Sequence, residues 1–83
     1  MTNLFVGNLP FTTDSTDLED MFNQYGSVAR AQVIKDRDTG RSRGFGFVEM
    51  DNDDEAQSAI EALDGTDVGG RQIKVNVARE RSR

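Results

Sequence analysis

The sequence predicts an α+β sandwich in the order strand, helix, strand, strand, helix, strand, a four-stranded antiparallel sheet carrying both helices on one face. Three observations predict it. Four stretches, residues 3–8, 28–34, 43–50 and 71–78, have strand-like residue types with inward and outward positions alternating. Two others place apolar residues at helical spacing, Leu18, Met21, Phe22 and Tyr25 in the first, Ala56, Ala59, Ile60 and Leu63 in the second. Turn-forming residues separate them. Right-handed crossovers then bring both helices to the same side of the sheet, the split βαβ arrangement, and leave the other side open.

The first strand ends at Leu9-Pro10, because proline cannot continue a ladder and restricts the residue before it. Phe11 follows in the loop and is expected to pack at the edge of the core, the alternative being a place beside a ligand. A helix should begin near Asp14 with Thr13 as its N-cap, and Gly26 should end it as a left-handed residue. In the second strand Ala31 and Val33 share a face and should point inward, leaving Arg30, Gln32 and Ile34 toward the open side or the rim. The polar stretch 35–42 reads as a hairpin loop. Its cations can clamp a phosphate backbone, or Asp36 and Asp38 can pair with them and make the loop purely structural.

The acidic run Asp51-Asn52-Asp53-Asp54-Glu55 invites a calcium-loop reading, which fails: Ala56 and Ala62 stand where glycine and the bidentate glutamate are needed. Asn52 with Glu55 three residues on instead matches a helix cap, and that helix should end before Gly65. Gly69-Gly70 marks a tight turn into the last strand, residues 71–78. There Ile73, Val75 and Val77 are expected inward, and Lys74 and Asn76 on the open face.

The faces of two strands look misassigned for a simple sandwich. In Arg43-Gly44-Phe45-Gly46-Phe47-Val48-Glu49-Met50 two phenylalanines share a face with an arginine and a glutamate, while Gly44, Gly46, Val48 and Met50 take the other. In Leu4-Phe5-Val6-Gly7-Asn8-Leu9 the aliphatic Leu4 and Val6 share one face and leave Phe5 on the other. Three aromatic rings and an arginine on an open sheet face are what stacking of unpaired bases needs, flat apolar surfaces and a cation for phosphate.

The two stretches resemble the RNP1 and RNP2 motifs of the RNA recognition motif family. Arg43 to Val48 fit RNP1 position by position, and Met50 departs at its last, core-facing position. The resemblance covers essentially the whole chain, as a domain over residues 1–79 with 80–83 a short basic tail. It implies a ferredoxin-like fold with strand order 4-1-3-2, the two motif strands central, and binding of single-stranded RNA on the open face. By the same resemblance Phe5 and Phe45 should stack on successive bases, Phe47 should pack against a ribose or between nucleotides, and Arg43 should contact phosphate. Asn3, Gln32, Lys74, Asn76 and Arg79 are further candidates for base or backbone hydrogen bonds, and Arg41 for phosphate. The chain looks like the small bacterial proteins of this family, especially the cyanobacterial ones, which implies a cytoplasmic setting and a role in RNA metabolism or regulation.

Composition bounds the alternatives. At 83 residues the chain is one small domain, and with no cysteine it has no disulfide, thiolate metal site or thiol nucleophile. It has no histidine either, which removes the commonest general base near neutral pH. No catalysis, cofactor or metal is expected. No apolar run approaches the roughly 18 residues of a membrane span, and the start lacks a basic signal region, so a soluble intracellular monomer is expected.

A net charge of −5 opposes a simple nucleic-acid reading, but its distribution reverses the inference. All ten basic residues fall in 30–43 and 71–83, while the acid lies mainly in and beside the two helices. If the helices cover one side of the sheet and the basic stretches border the other, the molecule has a negative back and a positive front; the alternative is that the helical acids are solvated charges that offset the helix dipoles. The rival readings are a family member that binds protein, single-stranded DNA as the ligand, and an acylphosphatase-like enzyme on the same layout. Phe5, Phe45 and Phe47 argue against the first. The enzyme would need an arginine beside a phosphate-cradling loop after the first strand, and residues 9–13 contain none.

Overall fold

The computed structural model describes residues 2–78, with strands β1 (Thr2–Gly7), β2 (Val28–Lys35), β3 (Ser42–Met50), β4 (Asp67–Val68), β5 (Arg71–Gln72) and β6 (Lys74–Val77), and helices α1 (Ser15–Asn23) and α2 (Asp53–Leu63). The main sheet has the order β2-β3-β1-β6, all neighbours antiparallel, which is the predicted order read from the other edge. Leu4, Val6, Val33, Val48, Met50 and Val75 of the sheet close on Leu18 and Phe22 of α1 and Ala56 and Ala59 of α2, all buried. The two alanines remove bulk where α2 faces the sheet.

Local chemistry sets the helix ends. Asp14, and not Thr13, caps α1: its Oδ1 accepts from the Asp17 N–H at 2.9 Å, and Asp17 Oδ2 accepts from the Asp14 N–H at 3.2 Å. Thr13 is buried instead, its N–H donating to the Pro10 carbonyl at 3.0 Å. A carboxylate at each of the two capping positions also favours the positive helix end, an advantage that threonine lacks. Gly26 is not left-handed. It is glycine because the Glu55 side chain fills the space a Cβ would need, on its way to accept from the Ser27 N–H at 3.1 Å. Asn52 caps α2, its Oδ1 accepting from the Glu55 N–H at 2.9 Å.

Register changes decide which face β2 presents. A bulge between Val28 and Arg30 turns Val28 to the core side along with Ala31 and Val33, although strict alternation would send it outward. The last strand divides. Gly69 and Gly70, both at positive φ, close the small β4–β5 hairpin, and Ile73 then exchanges backbone bonds with residues 65 and 66, its N–H donating to Thr66 at 3.0 Å. Only from Lys74 does the chain pair with β1. Ile73 and Val75 are buried as expected, but Val77, opposite Leu4 on the helix side, is 48% exposed at the end of the edge strand β6.

Both sheet edges are met by side chains. On β2 the Val33 N–H donates to Ser15 Oγ at 3.0 Å, and on β6 the Val75 N–H donates to Asp64 Oδ1, also at 3.0 Å.

Candidate nucleic-acid interface

With the inward positions of β1 and β3 filled by fully buried aliphatics, their outward positions carry the aromatics. Phe5 pairs with Phe47 across β1 and β3, Asn76 of β6 lies beside Phe5, and Gln32 of β2 lies beside Phe47. One row, Asn76-Phe5-Phe47-Gln32, thus crosses all four strands. Phe45 completes a cluster in which ring centres are 5.8 Å from Phe5 and 6.2 Å from Phe47, with 5.7 Å between Phe5 and Phe47. Phe47 is 39% exposed, and Phe5 and Phe45 are half-buried by their neighbours. Gly7 makes room for this: a Cβ there would stand 2.9 Å from the Phe5 ring.

Arg43 places its guanidinium carbon 6.0 Å from the Phe45 ring centre, at the outer range of a cation–π contact, and is otherwise exposed. Gly44, at φ 84°, follows it, so the strand kinks there and regular alternation begins at Phe45. Lys74 lies opposite Gly7 on the same face. A second row, Asn3-Glu49-Arg30, borders the aromatic one. The structure therefore brings together Asn3, Phe5, Gln32, Arg43, Phe45, Phe47, Lys74 and Asn76. Arg41 stands apart in the β2–β3 loop, and Arg79 lies outside the described residues.

In that loop Asp36 Oδ1 accepts from the Asp38 and Thr39 N–H groups at 2.8 and 3.3 Å. It shapes the turn, and no ion pair joins Asp36 or Asp38 to an arginine among the described residues. The loop cations stay available. Lys35, Arg41 and Ser42 line a groove of about 570 Å³ with Phe11.

Phe11 overturns the packing expectation, being 63% exposed. Arg71 lies over it, guanidinium carbon 5.3 Å from the ring centre, and is held by Asn8, whose Oδ1 accepts from Arg71 Nη2 at 3.1 Å. Asn8, at φ 59°, also donates to the Gln72 carbonyl at 2.7 Å. Sequence reasoning missed this trio, and its signal was an asparagine at the strand end, a position that favours left-handed backbone.

The family model of the RNA recognition motif matches residues 4–74. The chain belongs to the RNA recognition motif family. It is similar to RbpA of Synechocystis sp. at 52% identity over 79 residues, covering 95% of this chain and 78% of that one. It is similar also to the chloroplast RNA-binding protein CP31B of Arabidopsis thaliana, at 58% identity over 80 residues, covering 96% of this chain but only 28% of CP31B. Among solved structures, a Sxl-lethal protein/RNA complex superposes with a TM-score of 0.88 at 39% identity, over 93% of this chain and 47% of that one. The shared part is the recognition-motif domain with its central pair of motif strands.

Proposed function

We propose that the open sheet face binds single-stranded RNA by stacking, without catalysis, in the service of RNA metabolism or regulation in the cytoplasm. The observation that carries this reading is the Phe5, Phe45 and Phe47 cluster, three rings within 6.2 Å of one another on the face opposite α1 and α2. Phe5 and Phe45 stack on successive bases, Phe47 packs against a ribose or inserts between nucleotides, and Arg43 meets phosphate. Asn3, Gln32, Lys74 and Asn76 surround the rings and supply hydrogen bonds, and Arg41 extends the cationic border. Each stacked base is worth about 1 to 3 kcal/mol, so a few contacts give an affinity on the order of micromolar.

Selection from a randomised RNA pool tests the proposal, with the winning sequence titrated as RNA and as DNA while backbone and ring NMR shifts are followed. The largest changes are expected at Phe5, Phe45 and Phe47, with tighter binding of the RNA form. Shifts confined to α1 and α2 would overturn it.

A further inference from the structure

Glu49 is out of place on a surface that takes a polyanion. It sits in the middle of the row Asn3-Glu49-Arg30, with directly opposed neighbours on an antiparallel sheet about 4.5 to 5.5 Å apart. Despite that proximity, neither Glu49 nor Arg30 has a hydrogen-bond or ion-pair partner among the described residues. Asn3 is unsatisfied as well: its Oδ1 is buried and unpaired. These three, with Gln32 and Phe47, line a hollow of about 220 Å³, room for a single base. Unpaired polar groups at a concave spot beside an exposed ring are a site waiting for hydrogen-bonding partners.

We propose that this hollow is a guanine-selective base subsite, a reading that rests on RNA binding by the open face. Guanine presents two adjacent donors on its Watson–Crick edge, N1–H and N2–H, which match the two oxygens of the Glu49 carboxylate. Its O6, beside N1, accepts from Arg30, and at the other end of the same edge the second N2–H donates to the orphaned Asn3 Oδ1. Phe47, in the adjoining row, supplies the stacking surface. Adenine and cytosine offer one amino donor beside a ring-nitrogen acceptor, so the second carboxylate oxygen faces a lone pair. Uracil offers one N–H between two carbonyl oxygens. The carboxylate therefore ranks guanine first and uracil last, and Arg30 offsets its repulsion of phosphate.

The test titrates four heptamers, UUUGUUU, UUUAUUU, UUUCUUU and UUUUUUU, into the parent protein and into Glu49→Gln, an exposed-face change of equal shape. A bidentate base contact discriminates by about tenfold or more, so the parent should bind the guanine heptamer at least that much tighter than the all-uridine one. In Glu49→Gln this preference should fall to within about twofold, while uridine binding holds or improves. Equal binding of all four by the parent, or an undiminished preference in the variant, would overturn the subsite while leaving RNA binding intact. Failure of the parent to bind any heptamer would overturn RNA binding and the subsite with it.

Discussion

Phe5 of β1 and Phe47 of β3 stand directly opposite each other on the open face, ring centres 5.7 Å apart and planes inclined at 63°. Neither is needed to close the core, which Leu4 and Val48 fill on the other side of the same strands. Stability and affinity should therefore separate. Phe5→Ala, Phe45→Ala and Phe47→Ala are expected to lose about 1 to 3 kcal/mol of RNA affinity per lost base contact with little change in denaturant midpoint. Leu18→Ala, at a fully buried position, should destabilise the fold by about 2 to 5 kcal/mol. Phe variants that unfold like Leu18→Ala would place the rings in the core.

Salt dependence reports the cations. If Arg43 and one or two of Lys74, Arg41 and Arg79 neutralise phosphates, log affinity against log salt should fall with a slope of about −1.4 to −2.1, since each single-strand contact contributes about −0.7. Titrations across a salt series measure it, and a slope near zero removes the phosphate role from these residues.

The acidic helices should act on RNA only through their field. Glu19→Gln with Glu61→Gln, at exposed helical positions, is expected to raise affinity slightly and equally for every RNA, because the repulsion is screened beyond about 8 Å at physiological ionic strength. A large loss of affinity would move the binding surface to the helices.

Gly26→Ala should destabilise the fold by about 1 to 3 kcal/mol, through collision with Glu55 and loss of its bond to the Ser27 N–H. Pairing it with Glu55→Ala in thermal unfolding should recover only the part of the loss that comes from the carboxylate end, because the Cβ of residue 55, 2.5 Å from the added methyl, remains. Equal losses in the single and double variants would leave the contact without a role.

The Thr2 hydroxyl donates to the Asp53 carboxylate and holds its pKa below the ordinary 3.8. A depressed carboxyl pKa means that this tie between β1 and the start of α2 contributes at pH above 3.8 and fades as the pH falls through the lowered value. An NMR titration should place the Asp53 midpoint below 3.8, and Thr2→Val should move it upward.

Much of the interface was legible because alternation is rigid: once Leu4, Val6 and Val48 turn inward, Phe5, Phe45 and Phe47 have only one other face. The strand order, by contrast, came from the family resemblance to RNP1 and RNP2. What the sequence hid was set by contacts between distant residues. Nothing near Gly26 announces Glu55, and nothing near Phe11 announces Arg71. The bulge at Ala29 reverses alternation without a glycine or proline to mark it, and the division of the last strand depends on Ile73 pairing with residues 65 and 66.

An open sheet ordinarily ends in rows of unpaired amides that can template the addition of a foreign strand, the first step toward amyloid-like growth. Here Ser15 plugs the β2 margin at Val33 and Asp64 plugs the β6 margin at Val75. A strand arriving at either margin must first evict a side chain anchored on its own helical turn, and at Asp64 it meets a negative charge. The aromatic face can thus stay bare while each flank of the same sheet carries an obstacle to strand addition.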